Sequence, residues 1–129
     1  METKAVAKNV RTTSRKARMV VAAIKGLSVD AAKSKLQFMA RSAGVPILKV
    51  LNSAVANAKD KNKLEVKNII VDDGIKMKRR DTSHGARFGG GMISKRTSHI
   101  TVILENKETQ KMGNEPSREK SAQSLAQKQ

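Results

Sequence analysis

Apolar residues recur along this chain in two rhythms. From residue 14 to residue 58 they return every three or four positions, as on one face of a helix. In "TTSRKARMVVAAIKG" the stripe is Val20, Val21 and Ile24, with Ser14 placed to cap the start and Gly26 to end the helix. In "SVDAAKSKLQFMARSAG" it is Val29, Ala32, Leu36 and Met39, behind a Ser28 cap and ahead of Gly44, and Phe38 on this helix is assigned to the core. The third and most regular stripe is Leu48, Leu51, Val55 and Ala58, with Pro46 in the first turn, where its missing N–H costs nothing. Elsewhere the period shortens to two. "LEVKNIIVDDGIKMK" and "MISKRTSHITVIL" are rich in β-branched residues and read as strands; Ile100, Val102 and Leu104 share one face, and Thr101 and Ile103 the other. Residues 3–10 add a short strand, and "DDG" at 72–74 marks a bulge where the strand leaves the globular part. The predicted order is β-α-α-α-β-arm-β, an α+β class with three helices packed on a small antiparallel sheet.

The arm is the odd element. Residues 75–98 join the last two strands through "IKMKRRDTSHGARFGGGMISKRTS", whose middle holds almost nothing a core could bury. Taken as two legs meeting near His84–Phe88, each leg reaches roughly 40 Å at ~3.3 Å per residue. The radius of gyration of a 100-residue globule is only ~13 Å. A ribbon of that length stands clear of the body, and two strands alone in water are marginally stable. The legs read as carrying cations at matching heights, Lys78–Arg80 opposite Lys95–Arg96, where like charges repel unless anions lie between or beside them.

Charge turns this shape into a functional expectation. The chain has 129 residues, a net charge of +16, 2% aromatic residues and no Cys. Residues 1–25 carry seven Lys or Arg against the single Glu2, and residues 76–96 carry seven against the single Asp81. A cationic surface patterned in this way fits a polyanion, with nucleic acid ahead of an anionic membrane. Arg11, Arg15 and Arg18 fall on one side of the first helix and its approach, with Lys16 beside them. Cations at a helix N-terminus oppose the helix dipole, so an external anion is expected to compensate them. No apolar run approaches transmembrane length, and the N-terminus lacks the apolar stretch of a signal peptide.

Sharper chemistries fail on spacing. "GARFGGG" is followed by no Gly-Lys-Ser/Thr and opens no helix, so it is not a nucleotide phosphate loop. His84 and His99 are the only histidines, too few for a zinc site without converging carboxylates. Ser98 and His99 are strand neighbours that point to opposite faces, which rules out a nucleophile–base pair. No metal and no cofactor is expected. With aromatics so scarce, recognition through phosphates and shape is favoured over a base-stacking sheet.

Four segments, "VRTTSRKARMVVAAIKG" (10–26), "VLNSAVANAK" (50–59), "IIVDDGIKMKR" (69–79) and "KRTSHITVIL" (95–104), stand in unbroken order. In them the chain resembles the twenty-second protein family of the bacterial large ribosomal subunit, over roughly residues 4–105. The resemblance implies a three-helix, three-strand body seated on large-subunit ribosomal RNA among neighbouring ribosomal proteins. It further implies a long protruding β-hairpin running along the wall of the peptide exit tunnel and a cytoplasmic location within the ribosome. RNA contact is then expected of Lys8, Arg11, Arg15, Lys16 and Arg18, and on the hairpin of Lys76, Lys78, Arg79, Arg80, Arg87, Lys95, Arg96, Thr97, Ser98 and His99. His84, Gly85, Ala86, Arg87 and Phe88 are expected at a tip that meets the nascent polypeptide. The tip departs from the family pattern: the usual Pro-Arg-Ala-x-Gly-Arg-Ala loop stands here as "DTSHGARFGGG", with only "GAR" reminiscent of it. Residues 106–129 lie beyond the resemblance and are polar and mixed in charge, the composition of a disordered tail.

A free-standing basic RNA or DNA chaperone is the alternative, and a nucleotide-processing enzyme a distant third, because no acid–base or metal constellation assembles. Deleting residues 80–94 is expected to leave the body folded, since they supply no core. Circular dichroism and thermal melting of the deletion protein check this, and a large loss of helix would contradict it.

Overall fold

The computed structural model describes residues 2–59, 64–82 and 91–106. Its elements are β1 (Glu2–Val10), α1 (Ser14–Ile24), α2 (Val29–Phe38), α3 (Gly44–Asn57), β2 (Leu64–Arg80) and β3 (Met92–Asn106), in the predicted order. The sheet runs β1-β3-β2 with both pairings antiparallel, so the last strand lies in the middle. The expected tip, His84, Gly85, Ala86, Arg87 and Phe88, and the tail beyond 106 lie outside the described residues.

Burial explains why these segments hold. Ile100, Val102 and Leu104 are fully buried at alternate positions of β3, as their period of two predicts. They meet Val66, Ile69 and Val71 of β2, Val20 and Ile24 of α1, Leu36 of α2, and Ile47, Leu51 and Ala54 of α3 in one aliphatic cluster. Each large aliphatic chain so buried contributes about 1.5–3 kcal/mol. On α3 the fully enclosed residues are Ile47, Leu51 and Ala54, with Leu48 and Val55 only half-buried at the margin. The helical period is as read, but the face is turned slightly.

Two local expectations are corrected. The N-cap of α1 is Thr13, not Ser14; Ser14 opens the helix, and its hydroxyl turns away to donate to the Asp73 carboxylate. Gly44 lies beyond the end of α2 as expected and begins α3, where a Cβ would lie 3.3 Å from the Leu36 carbonyl oxygen. The second correction is Phe38, which is not core: it is 89% exposed. It follows Leu36 by two positions, which turns it roughly 200° around the helix from the buried stripe.

Gly26 does end α1 as predicted, at φ +77°, a conformation open to glycine. Its N–H donates to the Val66 carbonyl (3.0 Å), and the Val66 N–H donates to the Leu27 carbonyl (3.0 Å). The turn after α1 is thereby stitched to β2.

At one end of the sheet Glu105 faces Glu2 on one side and Glu65 on the other. Lys67 joins this row, donating to Glu2 and lying 3.1 Å from Glu105. The opposite end becomes the ribbon. There the β2–β3 register shifts between Asp73 and Lys76, at the "DDG" bend, and the ladder resumes from Lys76↔Arg96 to Arg80↔Met92. The cations are therefore not at the matching heights expected of them: only Lys76 faces Arg96, while Lys78 faces Ser94, Arg79 faces Ile93 and Arg80 faces Met92.

The bulge depends on a missing side chain. A Cβ on Gly74 would lie 2.5 Å from the Thr97 hydroxyl oxygen and 3.2 Å from the Thr97 backbone carbon. The Thr97 hydroxyl itself donates to the Ile75 carbonyl at 2.8 Å. Gly74→Ala is expected to destabilise the fold by about 1–3 kcal/mol through this overlap. Urea unfolding measures it, and an unchanged midpoint would show that the bulge opens freely.

Candidate nucleic-acid interface

The candidate site forms where α1 meets the root of the ribbon. Arg18 donates from Nε (3.2 Å) and Nη2 (2.9 Å) to the Val71 carbonyl, and Arg11 donates from Nη1 to the Arg96 carbonyl at 3.0 Å. Ser14 adds its bond to Asp73. On the other side of β3, Asn9 takes a positive φ of 56°, an excursion asparagine tolerates, and its N–H donates to Nδ1 of His99 at 3.0 Å. Several side chains expected to touch RNA thus also anchor the ribbon to the body.

Two hollows flank this joint. One, of about 370 Å³, is lined by Arg11 and Lys16 from the α1 side, Lys95 and Arg96 from the ribbon, and Ser42 and Pro46 from the α2–α3 corner. Thr13 caps α1 at its edge without a side-chain hydrogen bond to the helix, and no acidic residue occupies the first turn. The helix N-terminus and four cations consequently converge on one concave surface, an arrangement that favours an anion. The second hollow, of about 530 Å³, gathers Ser14, Arg15, Arg18, Met19, Asp73 and Arg96. Sequence spacing alone did not single out Thr12, Thr13, Ser42, Pro46 or Ser94. The last three reach the hollow only through packing that no local period announces.

Along the ribbon the register sorts side chains by face. Directly paired residues of antiparallel strands lie on the same side. Lys76, Lys78, Arg80 and Arg96 therefore share one face with Ser94 and Met92, while Met77, Arg79, Ile93 and Lys95 share the other. Lys76, Lys78, Arg79, Lys95 and Arg96 are all exposed. One side is predominantly cationic, and the other mixes cations with apolar chains.

The remaining expected residues separate. Lys8 is exposed on β1 and does not line either hollow. Thr97 and Ser98 are buried, Ser98 completely, so their side chains do not present themselves to a partner. Direct RNA contact by these two side chains is corrected to a place inside the ribbon root, where Thr97 braces the bulge.

Asp73 is the acid within this basic cluster. The Ser14 hydroxyl bond, and then the charges of Lys76, Arg18 and Arg96, hold its carboxyl below the ordinary aspartate range. Because the folded value is depressed, the contribution of this bond is present above the ordinary aspartate pKa and is lost as pH falls through the lower folded value.

A body that aims a cation-faced ribbon, with a basic cleft at its root, has the build of a nucleic-acid-binding protein. Comparison with known proteins makes this specific. Residues 5–105 match the family described as Ribosomal protein L22p/L17e, and the chain belongs to that family. It is 43% identical over 121 residues to the large ribosomal subunit protein uL22 of Bifidobacterium animalis subsp. lactis, covering 84% of this chain and 98% of that one. It is 47% identical over 108 residues to the uL22 protein of Deinococcus radiodurans, covering 80% and 79%.

Carboxyl titration by NMR is expected to place the Asp73 midpoint below that of an ordinary aspartate. Ser14→Ala is expected to raise it, because the hydroxyl bond is the largest cause of the depression. An unmoved midpoint would show that the neighbouring cations suffice.

Proposed function

We propose that this protein is a structural constituent of the large ribosomal subunit, in the cytoplasm, that binds large-subunit ribosomal RNA and supports its assembly without catalysis. The observation that carries this reading is family membership across residues 5–105, which span both the body and the ribbon. The physical arrangement supports it. Phosphates fill the basic cleft and line the cationic face of the ribbon, and the body sets the angle at which that face is offered. Neighbouring ribosomal proteins are its other expected partners.

In this reading the ribbon runs along the wall of the peptide exit tunnel. Its cationic face, with Lys76, Lys78, Arg80 and Arg96, turns to RNA, while Met77 and Ile93 on the other face turn toward the lumen and the nascent polypeptide, with Lys95 of that face held at the basic cleft. The apolar chains support that orientation, because they offer nothing to phosphate but do offer contact to passing peptide side chains. A photo-crosslinker at position 93 is expected to capture nascent chains in translating ribosomes, and one at position 78 to capture RNA. The reverse pattern overturns the orientation.

Sedimentation in high-salt sucrose tests the wider proposal. Co-migration with the large subunit is expected, whereas release to the top of the gradient favours a free-standing chaperone. The triple variant Lys76→Gln, Lys78→Gln, Arg96→Gln is expected to flatten the log–log salt dependence of rRNA affinity by roughly 2–3 units, one phosphate contact per lost cation. Binding isotherms across a salt series check this, and an unchanged slope would remove these residues from the interface.

A further inference from the structure

Phe38 is the only Phe, Tyr or Trp among the described residues, and the fold places it almost wholly in solvent, at 89% exposure. It closes α2 at the corner leading into α3, and the following turn is tight: the Arg41 N–H donates to the Met39 carbonyl at 2.8 Å, and the Gly44 N–H to the Arg41 carbonyl at 2.9 Å. Gly44 rests against the last turn of α2, so Val45, 60% exposed, belongs to the same corner. The Arg41 guanidinium reaches toward α1, with Nη1 lying 3.8 Å from the Met19 sulfur.

Two observations say what covers this corner. From residue 31 to residue 59 the chain carries Lys33, Lys35, Arg41, Lys49 and Lys59 and no carboxylate. A partner meeting Phe38 thus meets cations on every side in the sequence, and the partner it suits is a polyanion. The corner is also continuous with the basic cleft, to which it contributes Ser42 and Pro46. RNA seated in that cleft passes beside it. A flat apolar ring offered to RNA is a stacking platform for an unpaired base.

We propose that Phe38 stacks on an unpaired nucleobase of large-subunit rRNA, with Arg41 beside it on a flanking phosphate. This adds a base contact to an interface otherwise built on phosphates, at a position remote in sequence from the ribbon. It rests on the rRNA-binding reading above.

The test uses full-length protein and deproteinised large-subunit rRNA. Phe38→Ala and Phe38→Leu are expected to weaken binding about 5- to 100-fold, the range for loss of one base–aromatic stack, with an unchanged salt slope. Arg41→Gln is expected to flatten the slope by about one unit. Phe38→Trp is expected to keep near-native affinity. Because the chain has no other Trp, its emission reports this site alone, and stacking quenches it on binding. Leu binding as well as Phe, or indole emission left unquenched in the complex, overturns the proposal, as does a Phe38→Ala defect confined to joining other subunit proteins. If the wild-type protein fails to bind rRNA, the parent reading fails with it. If it binds and the Phe38 variants match it, this inference alone falls.

Discussion

One hydrogen-bonded ladder, β2 against β3, governs the molecule. At one end it is core: Ile100, Val102 and Leu104 have no exposure, and the helices close over them. At the other it is a bare ribbon whose residues from 75 to 80 and from 91 to 96 are exposed. Because β3 lies between β1 and β2, it cannot tilt without breaking pairings on both edges. The direction of the ribbon is therefore inherited from aliphatic packing in the body. The bulge at Gly74 then sets how the strands turn as they leave that packing, with Thr97 bracing the bend.

Arginines serve two ends at this joint. Arg18 and Arg11 satisfy backbone carbonyls of β2 and β3 while exposing the rest of their surfaces. A guanidinium has five N–H donors, so a bond to the protein leaves others for a phosphate. Lysine could hold the carbonyl or the phosphate as a point charge, but it lacks the planar fork that spans both. The charge cluster is consequently part of the scaffold as well as part of the surface. Asp73, taking the Ser14 hydroxyl bond amid Lys76, Arg18 and Arg96, relieves some of the repulsion that such crowding creates.

Much of this was legible in the residues. The switch of apolar spacing from three or four to two located the three helices and the two long strands, and the alternation through "SHITVIL" identified the buried face of β3 correctly. "DDG" marked the bend. What failed depended on geometry that spacing does not carry. Phe38 was assigned inward because it is a large apolar residue within a helix, yet its angular position puts it opposite Leu36. The cations of the two legs were paired by distance from a tip, but register is set at the other end, by the bulge between Asp73 and Lys76. Thr97 and Ser98 look like contact residues in a polar string, and only the packing of the ribbon root reveals them as enclosed. The hollow at the root was half visible: its cations were named, but Ser42 and Pro46 arrive through the α2–α3 corner.

The glutamate row at the far end of the sheet has a consequence of its own. Glu2, Glu65 and Glu105 sit side by side with Lys67, some fifteen strand residues from Arg80. That is roughly 50 Å at ~3.3 Å per residue. Physiological salt screens charge over about 8 Å, so an approaching polyanion senses the two ends separately. At the far end the glutamates are offset by Lys67 and by Lys4, Lys63 and Lys107 nearby in sequence, whereas one face of the ribbon is predominantly cationic. Attraction is therefore concentrated on the ribbon, and it turns that end toward the RNA before any specific contact is made.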